Sequence, residues 1–446
     1  MASDLLSIGR SGAQAARAAL DVTAQNIANA SSEGYVRRSV RLEEVASSGG
    51  IGTIGDVSLS GVRLDRVVRN ADLFRQAEVR RTGADAARAD AEVAGLENIE
   101  AAVEQSAVYS AMVGFESSLQ ELVGDPTSAS LRASVIEQAR TMAGTFNIAA
   151  NALDSVGTGL RFAADDGVTQ VNTLAQELAR VNLRLARAAD SSSDQASLLD
   201  QRDSLLQQLS GYADVAATIN AADGTAEVRL AGSTGALLVQ GGNAFALGMT
   251  TAGNGTIGFD VAGTAVALQG GSLAGHAQAL IRLADVHARI DAIAAEMAAT
   301  VNAAQGTGAA LDGSAGQPMF SGTTAAGLAL ALADGAGIAT APAGSPANSR
   351  DAANLGALRG ALAATDPTGD MDGLLFEISG TVAGRTITRD ALNTIAGNAR
   401  ISLAAQAGVD LDTEAASLIR YQQAFQASGR VMQTAKDIFD SLLAIR

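Results

Sequence analysis

Apolar positions at the two ends of the chain repeat with helical periods. In residues 1–30, Leu5, Ile8, Gly12, Ala15, Ala19 and Val22 alternate steps of three and four, and Leu6, Ala13, Leu20 and Ile27 add a second stripe. From Leu411 onward, Leu411, Leu418, Phe425, Met432 and Phe439 recur every seven residues, flanked by Ala424, Val431, Ile438 and Ile445. A seven-residue apolar repeat keeps one seam turned toward a partner helix. Both faces are wider than a two-strand seam, which predicts that each helix touches more than one neighbour. An apolar helical stripe alone is more often internal core than assembly surface. Matched stripes at both ends of the chain, the width of the faces and the motifs described below together shift that balance toward assembly.

Between the ends the pattern changes several times. Ser3 is a candidate cap for the first helix, and Asn29 to Gly34 stops it, with Gly34 suited to a left-handed conformation. Gly49-Gly50 and Gly52 lie between short alternations (Val57 and Leu59, Val62 and Leu64), which predicts a short β or hairpin segment near 41–70. A helical pattern runs from Asn70 to about Val123 and stops at Gly124-Asp125-Pro126. Further helices are expected over Ser130–Leu153 and Val168–Leu209, the second interrupted by the polar run Ala189 to Ser193. Asp223-Gly224 between Val215/Ile219 and Val228/Leu230 is a hairpin signal, and glycine stays dense through Gly275. Helix resumes over 276–305, with Leu280, Leu283, His287, Ile290, Ala294, Met297 and Val301 on one seam. Residues 306–350 read as loop with short elements, Leu374–Ile387 has strand character, and Arg389–Ala407 reads as helix.

These elements predict an α+β chain, mainly α, in three parts. Residues 1–40 and 408–446 form a coiled-coil-like terminal helical assembly domain. Residues 41–212 and 276–407 form an elongated helical rod domain, and 213–275 form a β-rich inserted domain. Both chain ends then return to one place while the middle projects outward.

Composition supports packing over chemistry. Apolar residues make up 47% of the 446, yet aromatics only 3%, and Trp is absent, so Ala and Gly supply much of the apolar content. Zero cysteines exclude disulfides, thiolate metal sites and cysteine nucleophiles. The N-terminus lacks the cationic start of a secretory signal, since Asp4 precedes Leu5-Leu6, and an uncleaved secretion route is expected. The most apolar stretch, Ala325–Ala333, is shorter than the ~18 residues of a membrane span. Charge is unevenly placed. Four Arg against Asp4, Asp21 and Glu33 leave residues 1–40 at +1, and four basic against five acidic residues leave 410–446 at −1. The whole excess of −16 therefore sits in the middle, where it stays solvated, while near-neutral ends can be buried among copies. An acidic balance also argues against nucleic acid.

Candidate chemistry is sparse. Gly253-Asn254-Gly255-Thr256-Ile257-Gly258 matches a dinucleotide-binding spacing, but Phe259 to Gly263 follow as strand and turn, where that chemistry needs a helix. A glycine-rich β-loop is expected there. His276 and His287 have no third ligand at metal-site spacing. Asp366, Asp370 and Asp372 resemble part of a calcium loop, with Glu377 at the twelfth position but Met371 at the sixth, where glycine belongs. An ordinary acidic turn is the preferred reading. Arg37 and Arg38 after Tyr35 could pair with acidic neighbours, but a solvated pair is the default expectation. No catalytic residue, metal ligand or cofactor is assigned.

Three stretches carry a family resemblance. Ala19 through Asn26, Ile27, Ala28, Asn29 and Ala30, followed by Glu33, Gly34 and Tyr35, resembles the N-terminal motif of flagellar rod, hook and junction proteins. Glu414 to Ser428 resembles their paired C-terminal motif. Leu198 to Ser210, and Phe115 to Leu122 leading to Asp125-Pro126, resemble the hook-associated protein 1 (FlgK) family of hook–filament junction proteins. So do Gly271-Ser272-Leu273, Val301-Asn302 and Leu311-Asp312-Gly313. The likeness is weakest over 213–270 and 325–395. It implies a structural, non-enzymatic subunit in the extracellular flagellum, exported by the flagellar type III apparatus. Implied partners are copies of itself, the hook protein, the second junction protein and the export chaperone FlgN on the C-terminal helix. The interface residues would be Leu5, Ile8, Ala15, Ala19, Val22 and Ile27 at the front, with Leu418, Phe425, Val431, Met432, Ile438, Phe439 and Leu442 at the back. Two alternatives stay open: another axial subunit (hook or distal rod), and a secreted enzyme or surface glycan-binding protein using the β-rich insert.

Overall fold

The structure is a computed structural model that describes residues 2–32, 34–47, 58–189 and 192–444. Glu33, Gly49, Gly50, Gly52, Val57, Asp190, Ser191, Ile445 and Arg446 lie outside the described residues, as do the side chains of Ser3, Leu59, Ser193 and Leu442. In chain order the elements are α1 (Ala2–Ala28), β1 (Arg38–Ser47), β2 (Ser58–Arg69), α2 (Leu73–Gln105), α3 (Val108–Gly124), α4 (Ala129–Leu185) and α5 (Ser193–Tyr212). Seven short strands follow: β3 (Val215–Ile219), β4 (Ala226–Leu230), β5 (Leu237–Gln240), β6 (Asn243–Ala244), β7 (Leu247–Thr251), β8 (Ile257–Val261) and β9 (Thr264–Val266). After α6 (Gly271–Gly306) come β10 (Gly308–Ala309), β11 (Phe320–Ser321), β12 (Ala329–Leu330) and β13 (Ala341–Pro342). The chain ends with α7 (Ala353–Thr365), α8 (Pro367–Ala407) and α9 (Leu411–Ala444). The fold is α+β and mainly α, and no described helix is long and apolar enough to cross a membrane.

The chain folds as two compact units, Met1–Gly83 with Val171–Ala246 and Asn393–Arg446, and Ala84–Gln170 with Leu247–Leu392. The first contains both terminal helices, the β1–β2 hairpin, α5 and the antiparallel sheet β3-β4-β5-β6. That sheet is part of the unit's core, with Val228, Leu230, Leu238 and Val239 fully buried. Asn182 of α4 pins it, donating to the carbonyls of Ala226 (2.8 Å) and Gly241 (3.0 Å) and accepting from the Ala226 amide (2.9 Å). The second unit holds the separate sheet β7-β8-β9. Residues 213–275, expected as one insert, thus supply two sheets, one to each unit.

The second unit is built on a core from α2, α3, α4, α6, α7 and α8 that includes Phe115, Phe146, Met297, Phe320 and Leu374. Its irregular segment, residues 306–350, is held by side chains from the helices. Buried Arg132 donates to the carbonyls of Pro126 (2.6 Å), Gly335 (3.0 Å) and Ile338 (2.8 Å) and to the Thr340 hydroxyl (2.8 Å). Asn147 and Asn302 likewise bond the backbone around Ala325–Leu328 and Phe320.

Several expected boundaries move. Ser3 already lies inside α1. The helix expected to run unbroken from Asn70 divides at Ala107, which is left-handed at φ 57°. Residues 153–168, left between two helices, are continuous helix within the 57 residues of α4. The strand character of Leu374–Ile387 is overridden, because Met371, Leu374 and Ile378 fall on one buried helical face. Asp370 and Asp372 are inside α8 and Asp366 is the left-handed residue that ends α7, so the expected acidic turn is confined to Asp366 and the rest is helix. The Asp223-Gly224 turn joins β3 to β4, and the Gly253–Gly258 stretch turns β7 into β8.

Candidate assembly surface

Helix α1 lies against α9 and against both strands of the β1–β2 hairpin. Its inward line is Gly9, Ala13, Ala16, Ala19, Thr23 and Asn26, mostly small residues that permit close approach. A Cβ on Gly9 would sit 2.7 Å from Met432 Cγ and 3.2 Å from the Ser428 carbonyl, and one on Gly12 would sit 2.8 Å from Ser428 Oγ. Gly61 of β2, at φ 104°, closes on α1 in the same way, with Ser11 Oγ occupying the place where its Cβ would stand. At Gly34, φ is 78°, the left-handed turn that lets the chain leave α1 and enter β1.

Beyond that turn the two family motifs meet at one side chain. Buried Asn26 makes all four of its hydrogen bonds. Its Nδ2 donates to the Arg38 carbonyl (2.8 Å) and to Glu414 Oε2 (3.1 Å). Its Oδ1 accepts from the Arg38 amide (3.0 Å) and the Tyr35 hydroxyl (2.9 Å). Glu414, 1% exposed, takes a second charge-assisted bond from Arg37 Nε at 2.6 Å, and the Arg37 amide donates to the Ala407 carbonyl at 2.9 Å. One residue from each end thereby fixes the register of α1, β1 and α9. Burial pushes the Tyr35 hydroxyl pKa up, against the lowering charge of Arg38, whose guanidinium lies over the ring 5.2 Å from its centroid.

The interior stretch Leu198–Ser210 joins the same network. Asp200 receives Arg38 (2.9 Å) and Arg69 (2.7 Å), and Asp203 receives Arg69 (2.9 Å), Arg202 (2.5 Å) and Gln76 (2.9 Å). Arg202 also donates to the Gly224 carbonyl. Burial alone would raise the Asp203 pKa, but the charges of Arg202 and Arg69 and their hydrogen bonds outweigh it, and the net shift is down. Arg80 beside it is buried, and desolvation lowers its pKa. Arg37 and Arg38, expected in solvent, are therefore committed ion-pair partners; the sequence signal is their match to Glu414 and Asp200 inside the other motifs.

The predicted interface residues divide into two sets. Ala15, Ala19 and Val22 are buried inside the unit and Ile27 is half-buried. Of the heptad seam of α9, Met432 meets α1, on a line with Glu414, Ser428 and Ala435, while the rest of the apolar seam stays more open beside it. Phe425 (44%), Val431 (38%), Ile438 (40%) and Phe439 (55%) are exposed, Leu418 is half-buried, and Leu5, Leu6 and Ile8 of α1 are exposed. Two grooves flank the helix pair. One, of about 640 Å³, is lined by Leu6, Met432, Ala435 and Phe439. The other, of about 330 Å³, is lined by Ile8, Gly12, Val62 and Val431. Such an apolar margin on both sides of one helix pair can seat further helices.

Elsewhere the titratable groups have local explanations. His287 is off the α6 seam, which uses Val286, and lies 3.5 Å from Asp154 and 3.4 Å from Asp291. His276 is half-buried, and desolvation lowers its pKa. Among the described residues no three His, Asp or Glu side chains are grouped to hold a metal.

Comparison with known proteins converges on one group. Residues 93–320 match the model of the flagellar hook-associated protein FlgK helical domain. Residues 6–35 match the flagella basal body rod protein model, and 404–445 match the C-terminal model of the flagellar basal body rod FlgEFG proteins. Flagellar hook-associated protein 1 of Bacillus subtilis (strain 168) is 30% identical over 229 residues, covering 50% of this chain and 45% of that protein. The protein of the same name from Salmonella typhimurium is 28% identical over 247 residues, 54% of this chain and 43% of that one. The match thus spans less than half the length of each relative. The solved flagellar hook junction protein FlgK from Burkholderia pseudomallei superposes with a TM-score of 0.60 at 16% identity, over 74% of this chain and 100% of that one, a likeness of fold.

Proposed function

This chain belongs to the FlgK family of flagellar hook-associated proteins, and from that premise we propose that it is a structural subunit joining hook to filament. The end motifs are shared with rod and hook proteins, whereas the match over 93–320 is to the FlgK helical domain, which favours a junction subunit over a hook or distal-rod one. The observation that carries the mechanism is the open apolar margin of α1 and α9 beside a closed polar clasp. The clasp presets the helix pair, and the margin is then buried among neighbouring copies. Completing the burial of each half-exposed Phe or Ile is worth about 1 kcal/mol, and the sum over a ring of copies makes assembly favourable. The role is non-enzymatic. The partners are copies of this chain, the hook protein and the second junction protein, and an export chaperone of the FlgN kind covers α9 before secretion to the cell exterior.

Replacing Phe425, Ile438 and Phe439 with Ser tests this reading. The monomer should keep its circular dichroism and melting temperature, since all three side chains point out of the unit. Polymerisation, chaperone binding and complementation of a null strain, whose cells make hooks without filaments, should all fail. Restored motility with the triple variant would overturn the proposal. Met432 is excluded from the test because it packs against Gly9 and its loss would damage the helix pair itself.

A further inference from the structure

An aromatic side chain on a polar helix face and a basic groove with apolar walls are both unexplained by the intramolecular packing. Phe162 of α4 is 76% exposed. Asp165 and Asp166, three and four positions on, share its face and are also exposed. Neither carboxylate has an ion-pair partner among the described residues.

The groove, of about 550 Å³, lies beside the β1–β2 hairpin, with Ala71, Leu73, Ala196, Leu199 and Ile219 among its walls. Arg69 and Arg202 line it too, but both are committed to Asp200 and Asp203. Arg41 and Arg66 are not. They stand directly opposite each other in the strand register, and both are exposed. Like charges paired across an antiparallel ladder are destabilising. Arg66 has only its neighbour Asp65, at 3.6 Å, and Arg41 has no ion-pair partner among the described residues. Leu73, 51% exposed, extends the apolar wall to the rim.

We propose that Phe162 of one copy, with Asp165 and Asp166, docks into the Arg41–Arg66 groove of a second copy. The inference rests on the self-assembly reading above and adds a contact outside the terminal helices. Apolar surface meets apolar surface, and two free carboxylates meet two arginines that otherwise repel each other. In a chain of net charge −16, copies repel unless such a basic patch receives them. Knob and groove are different surfaces, so the contact is heterologous and propagates into a ring or helix.

The absence of native cysteine makes the contact directly readable. Full-length chains carrying only Phe162→Cys are mixed with chains carrying only Leu73→Cys, concentrated to assembly and oxidised, so any heterodimer is between copies. A Phe162→Cys and Phe376→Cys mixture is the control, since Phe376 is more exposed than Leu73. Sedimentation of the same samples reports assembly independently. The expected result is pelleted polymer with several-fold more 162–73 cross-link than control, falling as salt rises. Polymer without that excess overturns this contact and leaves the self-assembly reading standing. No polymer under any condition overturns both. As a second arm, Asp165→Arg with Asp166→Arg, or Arg41→Glu with Arg66→Glu, should each reduce pelleted mass, and all four changes together should restore it. Failure of the four-fold variant to recover, with unchanged circular dichroism, counts against the pairing.

Discussion

Asn26 is a residue whose neighbours leave it no alternative. Its amide satisfies a backbone amide, a backbone carbonyl, a tyrosine hydroxyl and a carboxylate at once. Asn26→Ala should lower the unfolding free energy by about 2–4 kcal/mol, because buried partners are left unpaired. Chemical denaturation measures the loss, and hydrogen exchange should quicken first at the Arg38 amide. Asn26→Asp should be worse, since it sets a second carboxylate against Glu414. Asp203 makes a pH prediction. Its folded pKa is depressed, so its contribution is present above the unfolded value of about 3.9 and is lost as pH falls through that value toward the folded one. Asp203→Asn should therefore be less stable at neutral pH yet lose less stability below about pH 4 than the parent. Denaturation midpoints from pH 7 to pH 3 decide it. Neither role was legible from the residue alone. Asn26 was visible as part of a motif, while the partner that explains it, Glu414, lies 388 positions away.

Helices raise a different problem, namely what their glycines are for. Gly9→Val should wedge α1 from α9 and destabilise the pair by about 2 kcal/mol or more, because Met432 and the Ser428 carbonyl occupy the space. Gly429→Ala, with nothing within 4 Å of its Cβ, should instead gain up to about 1 kcal/mol from helix propensity. Thermal melts of the two variants should move in opposite directions. The same distinction explains a misread boundary. Residues 154–167 fell between the two expected helices, but α4 runs through them, and a Cβ at Gly157 would meet Leu283 at 2.8 Å. There glycine serves helix–helix approach and not chain reversal. Over Leu374–Ile387 the sequence has strand character, and the buried spacing of Met371, Leu374 and Ile378 prevailed as helix. The terminal helices were legible because their periodicity is long, but which of two adjacent seams faces α1 depends on Gly9 and Gly12 on the other helix.

For the molecule as a whole, the two β sheets differ in what depends on them. Excising residues 215–245 with a short linker should abolish cooperative unfolding of the unit that holds the chain ends, because four fully buried core residues and the Arg202 contact go with it. Excising 248–265 should lower the melting temperature less, since that sheet buries fewer side chains that deeply. Calorimetry of both deletions separates the two cases. Sequence suggested a single detachable insert because glycine and short alternations continue through the region; the division between β6 and β7 has no compositional mark. The clasp between Asn26 and Glu414 also has a consequence in time. Closing a loop of 388 residues carries an entropic penalty of about 5 kcal/mol before any constant, more than two hydrogen bonds return. The hairpin and the local helices therefore form first, and the clasp closes only on a chain that is already largely folded. In the proposed export route, a chain threaded N-terminus first cannot acquire this contact until residue 414 has emerged, so the clasp closes late in delivery.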